Sequence, residues 1–139
     1  VEEFQGQAEK IWHHRRAAEV RRTFLSVYGV GPGIANMAVL LIESAFDLTF
    51  SDLDHVHMDI KPDVHTTLVL YRLGLAHQID KNEAILAARQ LSPSYPGKID
   101  GALWFIGREF CHPTDADCVR CSLENVCPKV EVTGGSIWS

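Results

Sequence analysis

Four cysteines lie close together near the C-terminal end of this 139-residue sequence, which contains no others. They are Cys111, Cys118, Cys121 and Cys127. The short gap between the middle two lets both thiolates point at one centre, which the outer two can reach over short loops. Four thiolates in one compact segment suit a tetrahedral zinc ion or an iron–sulfur cluster. Zinc sites usually contain two closely spaced pairs of cysteines, so the single pair here favours iron–sulfur.

Two disulfide bonds, or thiols without a ligand, are the alternative for these cysteines. The N-terminus shows no secretory signal pattern, so we expect a reducing compartment. Clustered cysteines in such a compartment bind metal more often than they pair. The sequence also contains no run of eighteen apolar residues, and we expect no membrane span.

Two further segments have the residue types of functional sites. Residues 28–33 read YGVGPG, and a tight glycine turn before a helix exposes backbone N–H groups that suit a phosphate oxygen. Any helix–turn–helix can use glycine in the same place, so the turn by itself is a weak signal. Asp63 stands directly before a helical pattern, where an aspartate is a favourable N-cap.

Helical periodicity of apolar residues predicts the elements that position these sites. No alternating strand pattern of useful length is present, so the fold class is all-α. The second helix is apolar nearly all round, which predicts that it is buried. The predicted helices cover residues 7–27, 32–42, 64–73, 82–91 and 97–110.

Residues 46–62 lack a clear helical period and are predicted to form a loop. His55, His57 and Asp59 alternate within it, as do Asp52 and Asp54 before them. The alternating set could ligate a metal, but a solvated insertion is the favoured interpretation.

The formal net charge of −5 argues mildly against a nucleic-acid partner, since such proteins usually present a basic surface. Five basic residues nevertheless fall within the first 22 positions. They are Lys10, Arg15, Arg16, Arg21 and Arg22. Taken alone, this run is best interpreted as a solvated helix face.

Three segments together resemble the endonuclease III family of base-excision DNA glycosylases. The cysteine spacing C-x6-C-x2-C-x5-C is similar to the one with which that family holds a 4Fe–4S cluster, and it follows a matching GRxxC segment at residues 107–111. Residues 27–35 read VYGVGPGIA, which resembles the family's helix–hairpin–helix LPGVGxxTA. Residues 63–74 read DVHTTLVLYRLG, which resembles the family's DTHxxRVxxRLG.

This resemblance implies a helix–hairpin–helix glycosylase fold. It divides the chain into a partial helix–hairpin–helix barrel domain at residues 1–60 and a helical iron–sulfur domain at residues 61–139. The four cysteines would hold a structural 4Fe–4S cluster, and Asp63 would take the catalytic position. The family's helices before the hairpin have no counterpart here, which would leave apolar surface after Pro32 exposed. The residues implied to hold DNA phosphate are Gly29, Val30, Gly31 and Gly33.

The implied function is base-excision repair: hydrolysis of the N-glycosidic bond of a damaged or mispaired base in duplex DNA. Bifunctional members carry a lysine nucleophile where this chain has Gly33, so the resemblance implies a monofunctional glycosylase without lyase activity. Lys61 is the alternative amine, although a loop lysine is usually only solvated. The family's often basic cluster loop contains Asp115 and Asp117 here, which would repel phosphate.

Two other functions stay open. One is a catalytically inactive DNA-binding iron–sulfur module of the same fold, and the other is a redox protein in which the cluster transfers electrons. The expected partner is duplex DNA with a damaged or mispaired base, without a membrane, and the expected state is a monomer. The expected location is the cytoplasm and nucleoid in a prokaryote, or the nucleus in a eukaryote.

Overall fold

A computed structural model of the chain describes residues 3–132. All regular structure in that range is helical, which confirms the all-α class. The α-helices are α1 (Ala17–Leu25), α2 (Pro32–Phe46), α3 (Val64–Arg72), α4 (Lys81–Leu91) and α5 (Asp100–Glu109). Short 3-10 helices cover Ala8–Ile11, His55–His57 and Pro96–Ile99. None of the helices within 3–132 has the length and apolar character needed to cross a membrane.

The chain forms two compact units, Val1–Asp54 and His55–Ser139. In the first unit α1 packs against α2. Ile11, Trp12 and Phe24 pack against the edge of its core, half-buried. The core residues of this unit are Ala17, Val20, Val39, Ile42 and Phe50.

The prediction of one continuous helix over residues 7–27 is wrong. A 3-10 helix at Ala8–Ile11 is followed by a turn, in which His14 has a φ of 55°, and α1 begins only at Ala17. The Asp52 carboxylate fixes this start, because its two oxygens accept the N–H groups of Ala17 at 2.8 Å and Ala18 at 3.1 Å. The periodicity of residues 7–27 carries no information about a cap that lies 35 positions away.

The prediction that α2 is buried holds for one face only, and the expected exposure of apolar surface after Pro32 is observed on the other. One face is buried, through Val39 and Ile42, but Ile34, Leu41 and Phe46 are 46%, 58% and 55% exposed. An apolar sequence allows a helix to be buried on every side. Which sides are buried depends on the elements that pack against the helix. Within its own unit α2 packs on α1, which covers a single face.

In the second unit α3 packs against both α4 and α5. The predicted bounds of α3 and α4 agree with the structure to within one residue. The predicted helix 97–110 divides into the 3-10 helix Pro96–Ile99 and α5. Three alanines on α4 allow close packing. The core residues are Ile60, Val69, Leu70, Ala76, Ala84, Ala87, Ala88 and Leu103.

At Gly107, α5 lies close to the backbone of α3. A Cβ atom at this position would lie 2.6 Å from the Cβ of His65 and 3.0 Å from both the Cα and the carbonyl oxygen of His65. Real Cβ atoms do not come so close to a backbone, so any side chain at residue 107 would push the two helices apart.

We expect Gly107→Ala to lower the free energy of unfolding by about 1–3 kcal/mol, because the added methyl group overpacks the α3–α5 contact. Gly101→Ala is the matched control on the same helix, since a Cβ there meets no atom within 4 Å. The control should be neutral or raise stability by up to about 1 kcal/mol. Urea unfolding of both variants measures the difference. Equal effects at the two positions would contradict the close approach.

Candidate functional site

The four cysteines line one cavity beyond the C-terminal end of α5. The cavity volume is about 30 Å³. The N–H of Cys111 bonds to the carbonyl oxygen of Ile106 at 2.9 Å, which continues the end of α5 into the loop. The N–H of Cys121 bonds to the carbonyl of Cys118 at 3.2 Å and closes a turn between the middle pair.

The walls of this cavity are mainly apolar, with three charged side chains at its margin. All four cysteines are half-buried and free, so they form no disulfide bond. In the described range 3–132, no three His, Cys, Asp or Glu side chains are grouped to hold a metal ion. Besides the cysteines, the lining residues are Val69, Arg72, Leu73, Ile106, Phe110, Leu123, Glu124, Lys129 and Val132.

Arg72, the last residue of α3, is only 5% exposed and ties the helix to the cysteine loop. Its guanidinium donates to the carbonyl oxygens of His112 at 2.6 Å and Pro113 at 3.1 Å, and Nη1 lies 3.5 Å from the Sγ of Cys111. The thiol of Cys127 lies 3.4 Å from the carbonyl oxygen of Arg72. The end of α3 therefore holds the first and the last cysteine of the set.

The electrostatic environment of Cys111 disfavours a thiolate without a cationic ligand. Burial raises the pKa of the Cys111 thiol, the Arg72 guanidinium lowers it, and the charges of Cys127 and Cys118 raise it again. Mutually repelling thiolates in an apolar cavity need a positive partner to stay ionised. A metal centre supplies that charge, so this donor set fits a thiolate-ligated group.

Asp63 caps α3, as predicted from the sequence. Its Oδ1 accepts the N–H groups of His65 and Thr66, both at 2.9 Å. In return, the N–H of Asp63 donates to the Thr66 hydroxyl at 2.9 Å, which completes a reciprocal capping box. The half-buried carboxylate is thus held in one orientation at the N-terminus of the helix.

The sequence analysis missed Asp100, the first residue of α5. The backbone N–H of Lys61 bonds to its carboxyl group. Burial raises the pKa of Asp100, and the negative charge of Asp63 acts in the same direction. Only its position in space distinguishes Asp100 from any other acidic residue at the start of a helix.

The predicted glycine turn connects α1 and α2 in the first unit. The N–H of Val30 bonds to the carbonyl oxygen of Val27 at 3.1 Å, and Gly29 has a φ of +82°, which favours glycine. Gly31 is the N-cap of α2 with a φ of −88°, and a Cβ there would meet no atom within 4 Å. Gly33 lies exposed in the first turn of α2.

The alternating residues of segment 46–62 do not assemble into a metal site. Asp59 instead forms a bidentate pair with Arg89, with both N···O distances at 2.7 Å. The His55 ring packs edge-on against Tyr95, with 4.5 Å between the ring centroids. Within residues 46–62, no three such side chains are grouped to hold a metal ion.

One of the two aspartates in the cysteine loop is charge-paired. The Oδ2 of Asp117 lies 2.5 Å from the Nε of Arg120, and this hydrogen bond holds the pKa of Asp117 below its usual value. The Arg120 side chain is largely exposed. The loop therefore repels an anion less than the sequence alone suggests.

The chain matches no protein-family model, and it is similar to none of the curated proteins or solved structures with which it was compared. The resemblance to the endonuclease III family therefore stays a prediction based on the three motifs.

We expect Arg72→Met to lower the free energy of unfolding by about 2–3 kcal/mol, because it leaves the carbonyls of His112 and Pro113 without their charged donor. Arg89→Met is the matched control in the same unit. The Arg89 side chain is 53% exposed, so loss of its pair with Asp59 should change stability far less than loss of Arg72. Urea unfolding at one pH measures both. Equally small losses would contradict the anchoring role of Arg72.

Proposed function

We propose that this protein is a base-excision DNA glycosylase, which hydrolyses the N-glycosidic bond of a damaged or mispaired base flipped out of duplex DNA. The observation that carries the proposal is the arrangement of α3. This helix begins next to the oriented carboxylate of Asp63 and ends at Arg72, in contact with Cys111 and Cys127. A single nine-residue helix thus connects the proposed catalytic group to the cysteine cavity.

The proposed occupant of the cavity is a 4Fe–4S cluster held by Cys111, Cys118, Cys121 and Cys127. In a zinc site all four sulfur atoms lie about 2.3 Å from one ion. A cluster is a larger body held through several irons, so its cysteines surround it and need not converge on one point. The four cysteines line one cavity, and this shared lining is what supports the cluster. Its proposed role is to hold the loop.

The reaction then depends on the residues of the chain. The fixed carboxylate of Asp63 stabilises the positive charge that develops on the sugar as the glycosidic bond breaks. Water is the nucleophile, because Gly33 has no side chain that could attack the sugar. The strand is left intact with an abasic site.

The glycine turn of the first unit is the proposed contact with the DNA backbone. The first N–H groups of a helix have no partner inside the helix, and they suit a phosphate oxygen. Gly31 keeps the N-terminus of α2 accessible, since the space that a side chain would take there is open. Arg22, exposed in the last turn of α1, adds a positive charge shortly before the turn in a chain that is acidic overall.

A second candidate is a DNA-binding module of the same architecture without chemistry. One observation favours it: the hydrogen bonds of the capping box account for Asp63 by themselves. The two candidates make the same prediction for the cysteines and for DNA binding, and they differ only in whether a base is released.

We expect anaerobically purified protein to be brown and to contain about four irons per chain. Cys118→Ala should lose iron and loosen the loop, because ligand binding and local folding are coupled. Ser122→Ala, an exposed change in the same loop, is the control and should retain the full iron content. Iron and sulfide analysis measures this outcome. A colourless protein with one zinc ion would contradict the cluster.

We expect Asp63→Asn to slow base release on the order of 100-fold or more, because it removes the charge that stabilises the sugar cation. Asparagine caps a helix nearly as well as aspartate, so the fold and the iron should be retained. The assay measures free base released from a panel of lesion-bearing duplexes. Asp80→Asn is the control, because Asp80 caps α4 through the same kind of hydrogen bonds, to Asn82 and Glu83.

Borohydride should trap no adduct between the protein and DNA in this assay, since water is the proposed nucleophile. A trapped adduct would point to Lys61 or another amine instead. If Asp63→Asn retained full activity, Asp63 would serve only as the N-cap of α3 and would have no role in catalysis. DNA binding without release of any base would favour the second candidate.

A further inference from the structure

Asp100 is held in an unfavourable position for a carboxyl group. It begins α5 half-buried, and its Oδ1 is shielded from solvent and accepts no hydrogen bond within residues 3–132. The backbone N–H of Lys61 supplies a hydrogen bond to the carboxyl group. A shielded polar atom without a partner destabilises the fold, and such an atom in a native structure calls for an explanation other than stability.

The hydrogen bond from Lys61 and two nearby charges associate Asp100 with the start of α3. In the described chain these are Asp63, which repels its negative charge, and Lys61, which attracts it. Lys61 lies two positions before Asp63 in the sequence, and its N–H anchors the strand of chain that leads into the α3 cap. The lack of a side chain at Gly107 lets α5 lie close to His65 in the first turn of α3.

We propose that Asp100 is a positioning residue for the glycosylase reaction: it anchors the backbone before Asp63 and adds a second carboxylate charge beside it. This inference rests on the proposed function. The sugar is positively charged only as the bond breaks, so an added negative charge stabilises the transition state more than the bound substrate. Anchoring at Lys61 additionally restricts the movement of Asp63 relative to that charge.

The contribution of Asp100 depends on pH in a defined direction. Burial first, and the charge of Asp63 second, raise the pKa of Asp100 above the ordinary aspartate value. Below its pKa the carboxyl is neutral and adds no charge to the site, and the charge appears as the pH rises through it. The rate of base release should therefore gain an additional rise at a pH above the ordinary range of aspartate titration.

Asp100→Asn tests this inference. The amide oxygen can still accept the N–H of Lys61, but the side chain carries no charge. We expect the single-turnover rate of base release, measured at a pH above that additional rise, to fall about tenfold, a smaller loss than for a group that touches the substrate. The additional rise in the pH profile should disappear. Asp100→Glu should restore that rise, and Asp80→Asn should keep the wild-type profile.

The outcomes separate this inference from the proposed function. An Asp100→Asn protein with the rate and profile of the wild type would overturn the inference and leave the proposed function intact. An equal loss at every pH, with the shape of the profile retained, would also overturn it, because Asp100 would then serve the fold only. Wild-type protein that releases no base from any duplex would overturn the proposed function and this inference with it.

Discussion

The second unit depends on the buried guanidinium of Arg72. A buried cation without acceptors would destabilise the unit by several kcal/mol. Its acceptors here are the carbonyl oxygens of His112 and Pro113, which are in place only when the cysteine loop lies against the end of α3. Helix and loop therefore cannot adopt this arrangement independently. The position of the cysteines is coupled in this way to the helix whose first residues are held by Asp63.

The sequence predicted the features whose determinants are close together in the chain. The cap of α3 involves Asp63 and Thr66, three positions apart, and the bounds of α3 and α4 follow from local caps and periodicity. The start of α1 was missed because the residue that caps it, Asp52, lies 35 positions later in the sequence, after α2. The apolar pattern by itself predicted a buried α2, because sequence shows how apolar a helix is and not what covers it.

In the candidate site, too, the features predicted from the sequence are those whose determinants lie close together in the chain. The four cysteines lie within seventeen residues and are joined by short loops, so they must lie close together in space. The spacing therefore indicated that they line one cavity. Arg72 appeared in the sequence only as part of a motif, because its acceptors lie 40 and 41 positions away. No sequence pattern near Asp100 indicated a role for it. Its role depends on Lys61 and Asp63, which lie more than thirty positions earlier in the sequence.

The glycines of the hairpin and of the segment before Cys111 are explained by different physical constraints. Gly29 is required by its positive φ, and Gly107 is required because the backbone at His65 leaves no room for a Cβ. Neither reason applies to Gly31, which has an ordinary extended backbone conformation and open space around it. A residue before a proline favours that conformation whatever its side chain. The fold therefore does not account for Gly31. A phosphate oxygen that approaches the N-terminus of α2 would account for it, because such an approach needs a residue without a side chain.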